Sequence, residues 1–199
     1  ILQEYNSRMS KKNKHRKHSK DEISSKQSTD SLFMKFQKLI EYKHLGFVFA
    51  FSYAVILGFI SLSLHKIGDY GVETDFYWNY VPAAQQFLKG SVQIEQFHGP
   101  LYPIVLSIFG LVFGDFFTGG IILGLVSSAF VIYFSFEAIK SIFSKSIATA
   151  VTLLIILNPI FVQYTYSAGT DMFFIALVSA AVFFFFKTNR LNTTNVLLA

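Results

Sequence analysis

The sequence predicts an all-α, polytopic membrane protein, and three observations carry that expectation. Apolar residues make up 52% of the chain, and 24 of its 199 residues are Phe. The mean hydropathy of +0.45 is high for a soluble domain. The apolar residues are also blocked into runs, several near the ~20 residues that a bilayer-crossing helix needs. Cysteine is absent, which removes disulfides and thiolate metal sites and leaves the redox compartment open. The net charge of +5 arises mostly in the first 45 residues, so it belongs to one end of the chain and does not mark a nucleic-acid surface.

Residues 1–31 are polar, with a basic block from Lys11 to Lys20. They carry too little apolar surface to offset chain entropy and are expected to form a disordered, basic cytoplasmic arm that sets topology and meets anionic lipid. Residues 32–43 (LFMKFQKLIEYK) alternate apolar and basic side chains at helical spacing, which suits an interfacial helix. The membrane domain occupies 44–199, and its first span is Leu45 to Leu64, uncharged and followed by no small-residue cleavage site. Three further spans are expected at 118–138, 147–164 and 172–186. The chain opens on Ile and stops at Leu-Leu-Ala, and reads as the N-terminal part of a longer protein, with Met9 and Met34 as candidate starts.

Segment 100–114 (PLYPIVLSIFGLVFG) is apolar but reaches only about 22 Å as a helix, short of the roughly 30 Å hydrocarbon layer. Charge parity decides its place. If it lies in the interface, the N-terminal arm, Lys140 with Lys145, and Lys187 with Arg190 all fall on the cytoplasmic side, as the positive-inside rule asks. Loop 65–117 and connector 165–171 are then extracytoplasmic. Asp69, Glu73, Asp75, Glu95, Asp115 and Asp171 gather on that face, while Glu137 sits near Lys140 at the inner end.

The first external loop is the richest stretch of the chain. Gly68 to Pro103 holds three of the four prolines, acids, aromatics and His98. Residues 76–89 place apolar side chains at 76, 77, 80, 84, 87 and 88, one stripe of an amphipathic helix with Gly90 as its stop. Asp75 stands where a helix cap would sit. Pro82 implies a kink or a late start. His98-Gly99-Pro100-Leu101-Tyr102-Pro103 turns the chain into 100–114, so the loop is expected to form two interfacial helices, a shelf on the outer leaflet. Gly119, Gly120 and Gly124 suit close helix packing, and Phe183 to Phe186 is a packing or lipid-facing run. No P-loop, zinc or serine-triad signature appears.

Asp75, Tyr80, Ala83, Ala84 and Gly90 followed by HGPLYP resemble the first external loop of GT-C glycosyltransferases, closest to the protein-mannosyltransferase and aminoarabinose-transferase groups. The resemblance runs through Asn158-Pro159, Tyr166-Ser167 and Asp171, over roughly residues 45–188. Glu73-Thr74-Asp75 stands where the family has Asp-Glu, and Gly99 replaces the first of two prolines. The resemblance implies an integral membrane enzyme of the plasma membrane or endoplasmic reticulum. Such an enzyme moves a sugar from a polyprenyl-phosphate-linked donor to an acceptor outside the cytoplasm. It also implies Asp75 as the catalytic base and Glu73, Tyr80, His98, Tyr102 and Asp171 as substrate-binding residues, with a divalent metal cation as a candidate cofactor.

Each residue also has a plainer reading. Asp75 is either a base, raised towards usefulness by partial desolvation, or a structural cap. Glu73 either assists Asp75, binds a cation, or is a solvated loop acid. His98 meets the departing phosphate or a metal, or is a turn histidine bonded to backbone. Asp171 lines a sugar pocket or is simply favoured by a helix dipole. Tyr77, Trp78, Tyr80, Tyr164 and Tyr166 stack on ligand or form an interfacial belt. A transporter is the main rival, but it would place ionisable groups and broken helices inside the membrane, and these spans are nearly free of charge. A non-catalytic membrane assembly protein is the third reading.

Overall fold

A computed structural model describes residue 34 and residues 39–66, 73–91 and 99–196, with side chains described up to residue 187. The chain divides into two units, Ile1–Lys43 and His44–Ala199. In the first, Tyr42 N–H closes a turn onto the Leu39 carbonyl at 3.2 Å; the expected arm at 1–31 and most of the expected helix at 32–43 lie outside the described residues. The second unit is helical, and no strand occurs among its described residues.

The helices are α1 (Leu45–Leu64), a π-helical segment (Phe76–Tyr80) leading into α2 (Val81–Leu88), α3 (Leu101–Phe113), α4 (Phe116–Ile142), α5 (Lys145–Ile156), α6 (Pro159–Tyr166) and α7 (Asp171–Val196). Helices α1 and α4 are long and apolar enough to cross a membrane, and α5 with α6 makes a third candidate if the bent pair counts as one. A helix also covers the fourth expected segment, within α7.

The expected continuous span at 147–164 is instead broken, with a bend of 64° between α5 and α6. Pro159 has no N–H to continue the ladder and pushes Asn158 out of the helical region, to φ −71° and ψ 120°. The Asn158 side chain then caps the new helix, accepting from the N–H groups of Ile160 and Phe161 at 2.9 and 3.2 Å. Proline acts differently in the loop. The chain ahead of Pro82 widens into a π-turn, Val81 N–H bonding back to the Phe76 carbonyl, so the ring enters without breaking the helix. At the far end Gly90 adopts φ +85°, with Gly90 and Ser91 N–H bonding to the Phe87 and Gln86 carbonyls at 2.9 and 3.1 Å, as its place after the apolar stripe predicts.

Glycines on α4 set how closely three other segments approach. A Cβ on Gly119 would stand 2.9 Å from the Gly110 backbone nitrogen of α3. One on Gly120 would stand 2.6 Å from the Phe76 ring, and one on Gly124 3.0 Å from the Thr165 carbonyl of α6. The three glycines therefore pack closely, against partners the sequence does not name.

Tyr53 of α1 adds a polar tie, its hydroxyl 3.2 Å from the Thr165 hydroxyl. Buried hydroxyls such as Ser128, Thr149 and Thr165 also bond back to their own helix, at 2.8, 2.9 and 2.8 Å, leaving no unmet donor at those sites in apolar surroundings.

The two ends of α4 differ. At its C-terminal end Leu45, Phe136 and Ala148 form a small apolar cluster, and Glu137 takes a hydrogen bond from Lys140 at 2.6 Å. At its N-terminal end α3, the π segment and the 167–170 connector converge in a cluster of Phe76, Ala84, Tyr102, Leu106, Leu123 and Ala168.

Asp115 starts α4 as a side-chain cap, accepting from Thr118 N–H at 2.6 Å. Burial pushes its carboxyl up, but hydrogen bonds from the Thr118 backbone and side chain and from the Phe117 backbone outweigh that, and the net shift is downward.

Two outcomes follow from this packing. Gly119→Ala should cost about 1–3 kcal/mol, because backbone cannot yield to the new methyl, whereas Gly58→Ala, whose nearest neighbour would be a Leu125 methyl at 3.5 Å, should not destabilise; thermal unfolding in detergent compares them. Because the Asp115 carboxyl is lowered by folding, its contribution is complete above its unfolded value near 3.8 and is lost as pH falls through the lower native value. Asp115→Ala should therefore lose about 0.5–2 kcal/mol at neutral pH, and its melting temperature should approach that of the unmodified protein in acid.

Candidate functional site

The polar residues at the N-terminal end of α4 are organised by Glu73. This acid is 2% exposed. Its Oε1 accepts from His65 Nε2 at 2.6 Å and from Ala168 N–H at 2.9 Å. The reading of Glu73 as a solvated loop acid is thus overturned: the side chain is buried, and hydrogen bonds from His65 and the Ala168 backbone replace its water.

His65 directly follows α1, and its ring is held between Phe117 and Tyr166, with centroids 5.5 and 5.4 Å away. Sequence reasoning passed over this histidine. Its signal was a lone imidazole immediately after an apolar span, which by itself does not say which acid it meets. Ser61, one turn earlier on α1, donates to the Tyr166 carbonyl at 3.4 Å and so ties α1 to the end of α6.

Asp75 lies two residues beyond Glu73, a rotation of about 200° on a helix, and is exposed. It does not cap the helix. Its backbone is already helical at φ −68° and ψ −27°, and its side chain makes no capping bond. The helical turn begins at Glu73, upstream of the expected start, so Asp75 sits inside the first turn and not at its cap position. Its Oδ1 instead accepts from Asn79 Nδ2 at 3.3 Å.

Tyr80 and Tyr102 come together edge to face at 5.1 Å, and Tyr102 also meets Phe173 at 5.8 Å. The Tyr80 hydroxyl lies 3.5 Å from that of Thr170, one residue before Asp171. The Tyr102 hydroxyl is buried with no hydrogen-bond partner among the described residues. Burial pushes its phenol well above the ordinary value, reinforced by Tyr80, Asp171 and Glu73, so it stays an O–H donor. The Tyr77 phenol is also pushed up, by burial and then by Asp115 and Glu73.

Asp171 begins α7, as its place before an apolar run suggests, and its side chain is exposed. With Asn158 and Tyr164 it supplies the polar part of an open cleft of about 370 Å³, whose other walls include Ile155, Phe161, Met172 and Ile175. Trp78 projects outward, 78% exposed. The structure thus brings Glu73, Tyr80, Tyr102 and Asp171 to one end of the helices, with Asp75 on the outer side of the same short helix. His98 lies outside the described residues, as do Asp69 and Glu95. Among the described residues no three His, Asp or Glu side chains stand close enough to share a metal ion. Glu73, the acid considered for a cation, accepts through Oε1 from His65 and Ala168.

These features define an integral membrane protein, helical in its described residues, with Glu73, Asp75, Asp115 and Asp171 at one end of its apolar helices and Glu137, Lys140 and Lys145 at the other. A family model described as dolichyl-phosphate-mannose-protein mannosyltransferase matches residues 97–199, just over half of the chain, and the chain belongs to that family of GT-C-type membrane glycosyltransferases. The matched stretch contains Tyr102, Asn158 and Asp171, whereas Glu73, Asp75 and Tyr80 precede it. No curated protein and no solved structure matches the chain.

Removing the Glu73 side chain leaves two buried donors without their acceptor. Glu73→Ala should cost about 1–3 kcal/mol, and Glu73→Gln, which retains an acceptor oxygen, should cost less. Thermal unfolding of both variants beside the parent checks the order.

Proposed function

We propose that the protein transfers a sugar from a polyprenyl-phosphate-linked donor to an acceptor on the extracytoplasmic side of the membrane, with Asp75 as general base. The acceptor hydroxyl attacks the anomeric carbon, the bond from that carbon to the phosphate oxygen breaks, and the hydroxyl proton passes to the Asp75 carboxylate. The lipid phosphate leaves with the bonding pair. The observation that carries this reading is the state of Asp75: an exposed carboxylate, not spent on a helix cap, at the end where Tyr80, Tyr102 and Asp171 also gather.

In this reading α1, α4, the bent α5–α6 pair and the first part of α7 are four spans, and residues 76–88 and α3 lie at the outer interface. The grouping of chain ends supports that arrangement. His65, Glu73 and Tyr80 meet Tyr166, Ala168 and Thr170 at one end of α4, and Leu45 and Ala148 meet at the other, beside Lys140 and Lys145. Placing the second end in the cytoplasm satisfies the positive-inside rule. The cleft beside Asp171 is lined mostly by apolar side chains, which suits a prenyl chain, with Asn158, Tyr164 and Asp171 as partners for sugar hydroxyls.

The family description supplies the probe, dolichyl-phosphate mannose. Membranes carrying the whole protein should consume it, and Asp75→Asn at equal expression should turn over about 10²–10⁴-fold more slowly. Turnover by Asp75→Asn equal to that of the parent would reject Asp75 as the base. No turnover by the parent would reject this donor.

A further inference from the structure

We infer that His65 and Glu73 form a positioning clip that sets the orientation of Asp75, and this rests on the reading of Asp75 as base. Glu73 Oε1 joins three stretches of chain: the end of α1 through His65, the helix entering the π segment through Glu73 itself, and the 167–170 connector through Ala168. The side chains of His65 and Glu73 are 3% and 1% exposed, so neither meets bulk water or a substrate. The histidine is further constrained by Phe117 and Tyr166, and through Phe117 by the first turn of α4.

The acids follow closely in sequence. Asp75 is two residues from Glu73, and Asp171 is three residues from Ala168. With Glu73 drawn inward, a helix must present Asp75 on its opposite side. Phe76, 1% exposed and set against Gly120, fixes the same rotation from the next residue. A rotation of the short helix about its axis would carry Asp75 away from an acceptor, and the clip prevents it. Because the same oxygen holds Ala168, the clip also fixes the approach of the connector that ends in Asp171. Glu73 and His65 are therefore positioning residues, acting on the reaction through Asp75 and touching neither sugar nor phosphate.

The test uses the whole protein with dolichyl-phosphate mannose, with kcat expressed per folded molecule and melting temperature measured in parallel. His65→Ala and Glu73→Ala are each expected to lower kcat on the order of 10²-fold while the donor KM moves less than about threefold. Glu73→Gln should recover about tenfold of the loss seen in Glu73→Ala, since its carbonyl oxygen can still accept from Ala168 N–H. In an Asp75→Asn background, Glu73→Ala should cause no further loss, because the group it positions is already gone. If the clip variants keep the parental kcat per folded molecule and lose only melting temperature, while Asp75→Asn is inactive, the clip is structural and the inference fails alone. An equal loss from Glu73→Ala in both backgrounds also overturns it, since Glu73 would then act independently of Asp75. Full activity of Asp75→Asn removes the base assignment and with it the clip's target.

Discussion

One carboxylate oxygen governs the polar end of this protein. Burying a carboxylate is costly unless hydrogen bonds replace its hydration. Glu73 meets that condition by drawing the end of the first helix and a distant connector onto itself, at 2.6 and 2.9 Å. The surrounding order follows from it. His65 is flanked by the Phe117 ring, tilted against it, and by Tyr166, edge-on. The connector that supplies Ala168 brings Thr170 to Tyr80. The short helix that begins at Glu73 can then face outward only on the side that carries Asp75.

Beneath this polar layer, α4 works as a mould. Its glycines at 119, 120 and 124 admit α3, the Phe76 ring and the end of α6 at distances that a methyl group would forbid. Small residues allow such approaches where no hydrophobic driving force separates helix from lipid, and the contacts gain dispersion energy. The hydroxyl tie between Tyr53 and Thr165 then relates α1 to α6. The residues of the polar end thus rest on a close-packed foundation, carried by short helices and helix ends set against α4.

Much of this was legible in the sequence. Uncharged runs located α1 and α4, Gly90 marked the end of α2, and the order of Asp75, Tyr80 and the HGPLYP turn pointed to the GT-C family. The break at Asn158 was less legible, because a proline within an apolar run can kink a span or divide it; the side-chain cap that decides this depends on where Ile160 and Phe161 lie. The burial of Glu73 and the absence of a cap at Asp75 were hidden for a similar reason. Two acids separated by one residue look alike in sequence, and only the packing of Phe76 beneath Gly120 determines which one turns inward. His65 was invisible because its partners lie on three separate stretches of chain.

The π-turn ahead of Pro82 has a wider meaning. A helix with one surplus residue changes the angular phase of everything after it. Side chains before the bulge and side chains beyond it need not share a common stripe. Here they do: Phe76 and Ala84, about 80° apart on a uniform helix, both turn into the cluster with Tyr102 and Leu106. The surplus residue thus admits a proline to a short amphipathic rod while both halves of the rod still face one shared core.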